Sequence, residues 1–187
     1  MSGICIAVTG RSGSGKTTLI KEVVLSGRFD IEYMTSYVTR TPRANDFGYV
    51  YLTKEEYKER MGSSSLWDHF EMFGEYYGTD VAQLVEKIKS GRNILISFYP
   101  SKEELAKIHS MYPVAIATIF IDISEERSLE MVNWERQDHE KERVMKESEV
   151  ITQELLNSID QVFVPEGNLT KDREQFLALL EEIIRKR

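Results

Sequence analysis

The sequence is poor in the features that mark secreted or membrane-spanning proteins. It has one cysteine in 187 residues, Cys5, so an intramolecular disulfide is excluded. No apolar run approaches the roughly 20 residues that span a bilayer, and the first apolar run ends at Gly10, too soon for a signal peptide with a charged start. We therefore expect a cytoplasmic protein in which Cys5 is a buried core residue.

The chain also lacks an excess of positive charge. Its 24 Lys and Arg residues face 31 Asp and Glu residues, a formal net charge of -7. This balance argues against general affinity for nucleic acid or anionic membranes, which requires a basic face. Phosphates still bind to an acidic protein if its cations are concentrated in one cleft. We expect small-molecule partners and a monomer or weak dimer.

Most of the chain alternates between short apolar runs and helical patterns. The first run, 4–9, is typical of a buried parallel strand, and the helical spacing of residues 19–24 follows it. Further strands are predicted at 93–98, 114–121 and 161–164, and further helices at 80–90, 101–110, 124–133, 147–158 and 171–187. Such alternation predicts an α/β fold of three layers, with a parallel sheet covered on both faces.

Two segments interrupt this alternation. Residues 35–79 hold short alternating pieces at 36–40, 49–52 and 69–73 around one helical pattern at 54–61, which predicts a small mixed α+β insert. The core would then comprise 1–34 and 80–187. The second break, 134–146, is dense in both charges; we interpret it either as a solvated helix or loop, or as a mobile lid over a site.

The turn after the first strand carries a phosphate-binding motif. Residues 10–17, GRSGSGKT, fit the pattern G-x-x-x-x-G-K-[ST]. Its glycines let backbone N–H groups converge on an anion, and the following helix adds its positive N-terminal end. Lys16 would reach the β- and γ-phosphates of ATP, and the Thr17 hydroxyl would hold Mg²⁺. The predicted ATP-binding residues are Gly10, Arg11, Ser12, Gly13, Ser14, Gly15, Lys16, Thr17 and Thr18.

This loop alone leaves the reaction open, because hydrolytic switches, motors and small-molecule kinases share it. The insert adds candidates for an acceptor site. Arg40 and Arg43 flank Pro42, and two guanidiniums clamp one phosphate with forked hydrogen bonds, although two arginines on a turn are more often surface charges. A later segment, 67–79, offers a carboxylate, a tyrosine pair and a threonine to read a base edge, although aromatic residues in a strand more often pack.

Together, these segments resemble guanylate kinase, a family that transfers a phosphoryl group from ATP to GMP with Mg²⁺. The resemblance rests on the loop, the T-R-T-P-R segment at 39–43, the F-G-x-Y-Y-G-T segment at 73–79 and the G-x-x-I-L-I strand at 91–96, in the expected order. It implies an ATP-dependent nucleoside monophosphate kinase.

The resemblance also implies roles for single residues. The acceptor phosphate would meet Ser36, Arg40, Arg43, Tyr49 and Tyr77; guanine would meet Asp68 and Thr79; adenine would lie near Asn168. In the lid, Arg136 matches one arginine of the family, and either Arg143 or Lys146 takes the place of a second. The expected catalytic residues are therefore Lys16, Arg136, Arg143 and Lys146.

Three departures weaken the assignment of GMP as acceptor. Asp68 stands where the family usually has glutamate, and the loop from Arg43 to Tyr49 is shorter than usual. Ser97 and Tyr99 occupy the positions of two family aspartates, and neither supplies a carboxylate. Two alternatives stay open: a kinase of the same fold acting on another nucleoside monophosphate or a sugar phosphate, and a non-catalytic interaction module.

Overall fold

The computed structural model describes residues 2–43, 46–62, 66–72, 74–110, 115–133 and 139–186. These residues form nine strands and eight helices. The strands are β1 Ile4–Gly10, β2 Ile31–Tyr33, β3 Ser36–Val38, β4 Tyr49–Tyr51, β5 Leu66–Met72, β6 Glu75–Asp80, β7 Asn93–Ser97, β8 Ala115–Ile121 and β9 Gln161–Phe163. The helices are α1 Lys16–Leu25, α2 Lys54–Gly62, α3 Val81–Lys89, α4 Lys102–His109, α5 Glu125–Asn133, α6 His139–Val150, α7 Gln153–Asn157 and α8 Leu169–Arg185.

The larger sheet has five parallel strands in the order β2-β7-β1-β8-β9. Strand β1 lies at its centre and pairs with β8 along its whole length, from Ile4 opposite Ala115 to Gly10 opposite Ile121. Parallel strands need crossover connections, and the intervening helices supply them. The predicted α/β fold with a parallel sheet is confirmed.

Side chains of β1 alternate between two hydrophobic clusters, one on each face of the sheet. Cys5 and Ala7 pack in the cluster that includes residues of α3, α4 and α7. Ile6 and Val8 pack in the cluster that includes residues of α1 and α8. This period of two follows from the pleat of a strand, and burial on both faces explains why the run is apolar throughout. Cys5 is fully buried, as predicted.

The smaller sheet is mixed and has the order β4-β3-β6-β5. Strand β3 pairs parallel with β4 and antiparallel with β6, and β5 pairs antiparallel with β6. The register of β5 against β6 shifts between Trp67 and Phe70, which places Asp68 in an irregular part of the strand. All these strands fall within or next to residues 35–79; the division of the chain into a core and an insert stays a prediction.

Several predicted element boundaries were wrong. Strand β2, at the edge of the larger sheet, was not predicted, because three residues carry too little periodicity to stand out. The helix predicted at 147–158 is two helices, α6 and α7. Thr152 separates them in an extended conformation, and its side chain accepts a hydrogen bond from the Leu155 N–H at 3.2 Å. A threonine in this role starts a new helix.

Helix α8 packs one face against the sheet. Phe176, Leu177 and Leu180 are buried, while Leu169 at its first position is 52% exposed. The helix begins two residues earlier than predicted, because Asn168 caps its N-terminus. Among the residues that the structure describes, no helix has both the length and the apolar character needed to cross a membrane.

Two leucines of α8 test this packing. Replacing the buried Leu180 by alanine should lower the free energy of unfolding by about 2–5 kcal/mol, because it leaves a cavity in the core. The same change at exposed Leu169 should cost less than about 0.5 kcal/mol. Urea unfolding followed by circular dichroism measures both. Equal losses from the two variants would contradict the orientation of α8.

Candidate functional site

The loop between β1 and α1 is a tight turn that keeps its lysine close to its own backbone. Gly13 and Gly15 have φ of 78° and 82°, a region that residues with a Cβ rarely adopt. The Lys16 ammonium donates hydrogen bonds to the carbonyl oxygens of Gly10 at 2.6 Å and Arg11 at 2.7 Å. It also lies 3.3 Å from the Ser14 hydroxyl. A positive charge is therefore held beside the backbone that would surround a phosphate.

The first turn of α1 offers a hydroxyl to a hard cation. Thr17 and Thr18 are exposed there, next to the positive end of the helix. Within the described ranges, no group of three or more His, Cys, Asp or Glu side chains forms a metal site. Mg²⁺ in phosphate-transfer sites is commonly held by few protein ligands and by substrate phosphates. The Thr17 hydroxyl fits such a site.

A carboxylate from α6 fixes the phosphate loop. The Glu147 Oε2 accepts a hydrogen bond from the Ser12 N–H at 2.6 Å, and its Oε1 accepts one from the Ser12 hydroxyl at 2.9 Å. The Glu147 side chain is 1% exposed. Hydrogen bonds to a charged partner are stronger than those between neutral groups. Ser12 is therefore tied to α6 through its backbone and its side chain.

Two further hydrogen bonds connect the loop to its surroundings. The hydroxyl of Ser128, in α5, donates to the Ser12 carbonyl at 2.6 Å. The Arg11 Nη1 donates to the hydroxyl of Ser148, in α6, at 2.8 Å. The loop is thus held from two helices that follow it by more than a hundred residues in the chain. These contacts restrict its conformation before any ligand is bound.

The two predicted alternatives for the second lid cation lie in different environments on α6. The Arg143 Nε donates to the Glu147 Oε1 at 2.9 Å, and its side chain is 26% exposed. The Lys146 ammonium pairs with Glu142 at 2.9 Å, and both of those side chains are more than half exposed. The structure thus brings Arg143, through Glu147, to the phosphate loop. Arg136, the other predicted lid cation, lies outside the described residues.

Hydroxyl groups stand at the end of β7, next to the end of β1. The Tyr33 hydroxyl donates to the Ser97 hydroxyl at 3.1 Å, and burial raises the pKa of Tyr33. Burial also raises the pKa of Tyr99, and the nearby Glu147 carboxylate adds to that effect. The Tyr99 ring lies 6.0 Å from the ring of Phe70, in β5. Tyr99 therefore lies between the residues that hold the phosphate loop and the smaller sheet.

Arg40 is the most buried cation of the predicted acceptor site. Its Nη1 and Nη2 donate to both carboxylate oxygens of Asp46, at 2.7 and 2.8 Å, and Nη1 also donates to the Thr41 carbonyl. Burial disfavours its charge, but the bonds from Arg40 to Asp46 outweigh that effect and raise the pKa of Arg40. The guanidinium also lies over the Tyr49 ring, at 4.9 Å.

Asp46, in the short loop before β4, accepts hydrogen bonds from several groups. Besides Arg40, it accepts hydrogen bonds from the Tyr51 hydroxyl and, at 2.8 Å, from the Arg43 N–H. Burial alone would raise the pKa of Asp46; the hydrogen bonds from Arg40, Tyr51 and Arg43 outweigh it and lower the pKa to about 2. Asp46 thus stays ionised at neutral pH and fixes the direction of the Arg40 guanidinium.

Strand pairing brings other predicted acceptor residues together. Ser36 lies opposite Thr79 in the β3–β6 pair, and their hydroxyl oxygens are 3.4 Å apart. The Tyr77 ring stacks on the Phe70 ring at 4.9 Å, with 6° between the planes. Arg43 is exposed at the edge of this group. The side chain of Asp68 lies outside the described residues.

Asn168, predicted to lie near adenine, is the N-cap of α8. Its side-chain oxygen accepts a hydrogen bond from the Lys171 N–H at 3.1 Å. The residue is exposed, after β9. Its amide oxygen thus has a structural partner, and the role at adenine stays a prediction.

Sequence reasoning missed three residues of this region: Glu147, Asp46 and Tyr33. Glu147 stands four residues after Arg143, a spacing that pairs opposite charges on a helix, but nothing in the sequence links it to Ser12. Asp46 lies in the short loop from Arg43 to Tyr49 and bonds to both predicted arginines. Tyr33 gave no signal, because its partner Ser97 is distant in the chain.

Comparisons with known proteins place the chain in a family. The sequence profile described as "Guanylate kinase" matches residues 3–186. The guanylate kinase of Clostridium perfringens is 35% identical over 97 residues, which are 50% of this chain and 44% of that protein. That of Clostridium acetobutylicum is 29% identical over 117 residues, 61% of this chain and 54% of that protein. The chain spans about half the length of the curated relatives it matches.

Solved structures agree on the fold. A guanylate kinase from Anaplasma phagocytophilum has a TM-score of 0.74 at 18% identity, over 98% of this chain and 87% of that chain. A gluconokinase from Sinorhizobium meliloti 1021 has a TM-score of 0.56 at 16% identity, over 99% of this chain and 95% of that chain. At such identities the likeness concerns the fold alone. The predicted resemblance is confirmed by the family profile, which covers nearly all residues: this chain belongs to the guanylate kinase family.

Proposed function

We propose that this chain is an ATP-dependent nucleoside monophosphate kinase that converts ATP and GMP to ADP and GDP. The observation that carries the proposal is the phosphate loop at the end of β1, with the Lys16 ammonium held against its carbonyl oxygens. Membership of the guanylate kinase family supports the acceptor. The buried Arg40, two residues after β3, would supply the cation that an acceptor phosphate requires.

The chemistry needs positioning and charge neutralisation more than acid–base groups. In phosphoryl transfer, the attacking and leaving oxygens lie in line, and charge spreads over the oxygens of the moving group. The acceptor phosphate is already a nucleophile at neutral pH, so the site requires no general base. Lys16 would stabilise the β- and γ-phosphates. Mg²⁺, held by the Thr17 hydroxyl and by ATP oxygens, would supply further neutralisation.

Arg143 is proposed as the second lid cation, in place of Lys146. Its Nε bond to Glu147 puts it close to the phosphate loop, whereas Lys146 pairs with Glu142 on the exposed side of α6. Arg136 is proposed as the other lid cation. Closing the segment 134–146 over the nucleotides would exclude water, which otherwise competes with the acceptor for the phosphoryl group.

Arg40 keeps part of its guanidinium for an anion while Asp46 holds it in place. It bonds to Asp46 and Thr41 through Nη1 and one N–H of Nη2, and an arginine has further donors on Nη2 and Nε. The acceptor phosphate would bind those donors together with Arg43, Tyr49 and Tyr77. Ser36 is proposed to contact the same phosphate, and Thr79 and Asp68 are proposed to contact the base.

A second candidate function is a kinase for another phosphorylated acceptor. It rests on Ser97 and Tyr99 at the end of β7, where the family has aspartates. A hydroxyl both donates and accepts hydrogen bonds, so it discriminates less sharply than a carboxylate against a base edge that lacks N–H donors. A non-catalytic module is a further alternative. The intact loop, anchored on Lys16 and Ser12, argues against it.

The lysine of the loop gives the first test of the proposal. Lys16→Met should reduce kcat about 100-fold or more, because a charge-assisted bond to the transferred phosphate is lost. Lys21→Met, an exposed lysine of the same helix, should leave kcat within about twofold. A coupled assay of ADP formation measures both variants. Full activity of Lys16→Met with any acceptor would show that the loop takes no part in the reaction.

A panel of acceptors distinguishes the two candidate functions. With ATP as donor, GMP should give a higher kcat/KM than AMP, CMP, UMP or phosphorylated sugars. Arg40→Lys should raise the KM for GMP about tenfold, because lysine has no planar fork, and should leave the KM for ATP unchanged. Arg28→Lys, at an exposed site, is the matched control. A low rank for GMP in the panel would favour the second candidate.

A further inference from the structure

Glu147 combines complete burial with direct contact to the phosphate loop. We infer that it is a positioning residue: it holds the loop at Ser12 and at the same time orients Arg143 toward the phosphoryl group that is transferred. This inference rests on the proposed function. Neither the motif nor the resemblance assigns a role to this position.

The hydrogen bonds of Glu147 join two parts of the site that are 135 residues apart in the chain. One oxygen accepts from the Ser12 N–H, and the other accepts from both the Ser12 hydroxyl and the Arg143 Nε. These three bonds engage both oxygens of the carboxylate, which has about four acceptor sites. The phosphate loop and α6 are therefore joined through a single carboxylate.

Stability alone does not account for a carboxylate in this place. Burying an ionised group is unfavourable, and pairing with an opposite charge offsets this only when the geometry is good. Well-packed apolar side chains often stabilise a protein as much as a buried ion pair does, or more. A negative charge beside an anion-binding loop also opposes the binding of a triphosphate. Glu147, which is 1% exposed, bears the cost of burial, and its pairing with Arg143 offsets the repulsion. What the carboxylate supplies in return is direction, for a backbone N–H and for a guanidinium.

The neighbours of Glu147 support a role in the reaction. Arg143 lies one helical turn before it and pairs with it, so the two charges together add no net charge beside the loop. Ser148, the next residue, accepts a hydrogen bond from Arg11. Tyr99, which contacts the smaller sheet through Phe70, feels the charges of both Glu147 and Arg143. Tyr99 thus lies near both the Glu147–Arg143 pair and the smaller sheet.

Glu147→Gln separates the two contacts of this carboxylate. The glutamine carbonyl still accepts the Ser12 N–H, but its NH₂ group faces the Arg143 Nε, where two donors oppose each other. We expect kcat to fall about tenfold or more, since a charge-assisted contact is lost. The dissociation constant of ADP, measured by calorimetry, should stay within about threefold. An unchanged kcat would overturn the inference.

A double variant distinguishes positioning from a general structural effect. If Glu147 acts through Arg143, Arg143→Ala and the double variant Arg143→Ala/Glu147→Gln should have the same kcat. Independent effects that multiply would contradict the inference. Glu149→Gln, an exposed glutamate on the same helix, is the matched control and should keep the wild-type kcat.

Folding and nucleotide binding are checked on the same proteins. Circular dichroism and urea unfolding show whether Glu147→Gln is folded. If it is not, Glu147→Asp keeps the charge but shortens the side chain by one methylene group, and the same fall in kcat with unchanged ADP affinity is expected. Wild-type protein that bound neither ATP nor ADP would contradict the proposed function itself; an active wild type with an unaffected Glu147 variant would overturn only this inference.

Discussion

The conformation of residues 10–16 is the constraint on which the rest of the site depends. Strand β1 lies at the centre of the larger sheet, with β7 on one side and β8 on the other, so the chain that leaves its end is surrounded by structure. The Thr9 hydroxyl donates to the Phe98 carbonyl at 2.9 Å, which fixes the end of β1 against the segment after β7. From there, glycines at positive φ let the loop curl toward α1. Ser12 and Lys16 then hold it in that shape.

Two arginines of the proposed site, Arg40 and Arg143, are each held in place by a carboxylate. Asp46 fixes Arg40 after β3, and Glu147 fixes Arg143 on α6. Each carboxylate weakens the attraction of its arginine for a phosphate. It also restricts the arginine side chain in advance, so less side-chain entropy is lost when the phosphate binds. In both pairs the carboxylate offsets the charge of its arginine locally. Orientation, more than excess positive charge, is what these pairs contribute.

The sequence predicted those parts of the molecule that local patterns determine. The first strand and α1 follow from an apolar run and a helical spacing within 25 residues, and both were found as predicted, with the glycine motif in the turn between them. What could not be predicted depends on distant partners. The contact of Ser12 with Glu147 spans 135 residues, and β2 is a strand only because β7 pairs with it. The break at Thr152 was missed because a threonine in a helical pattern gives no certain signal of capping.

The two hydroxyl side chains at the end of β7 have different partners. Ser97 receives its hydrogen bond from Tyr33 on the neighbouring strand β2, so its hydroxyl is engaged within the core sheet. The Tyr99 ring instead packs against the Phe70 ring, which stacks on the Tyr77 ring. The Tyr99 ring thus forms an aromatic bridge from the segment after β7 to the smaller sheet. Because this bridge offers no charge to a base, recognition of the acceptor in the proposed site depends more heavily on the smaller sheet itself, where the hydroxyls of Ser36 and Thr79 lie side by side.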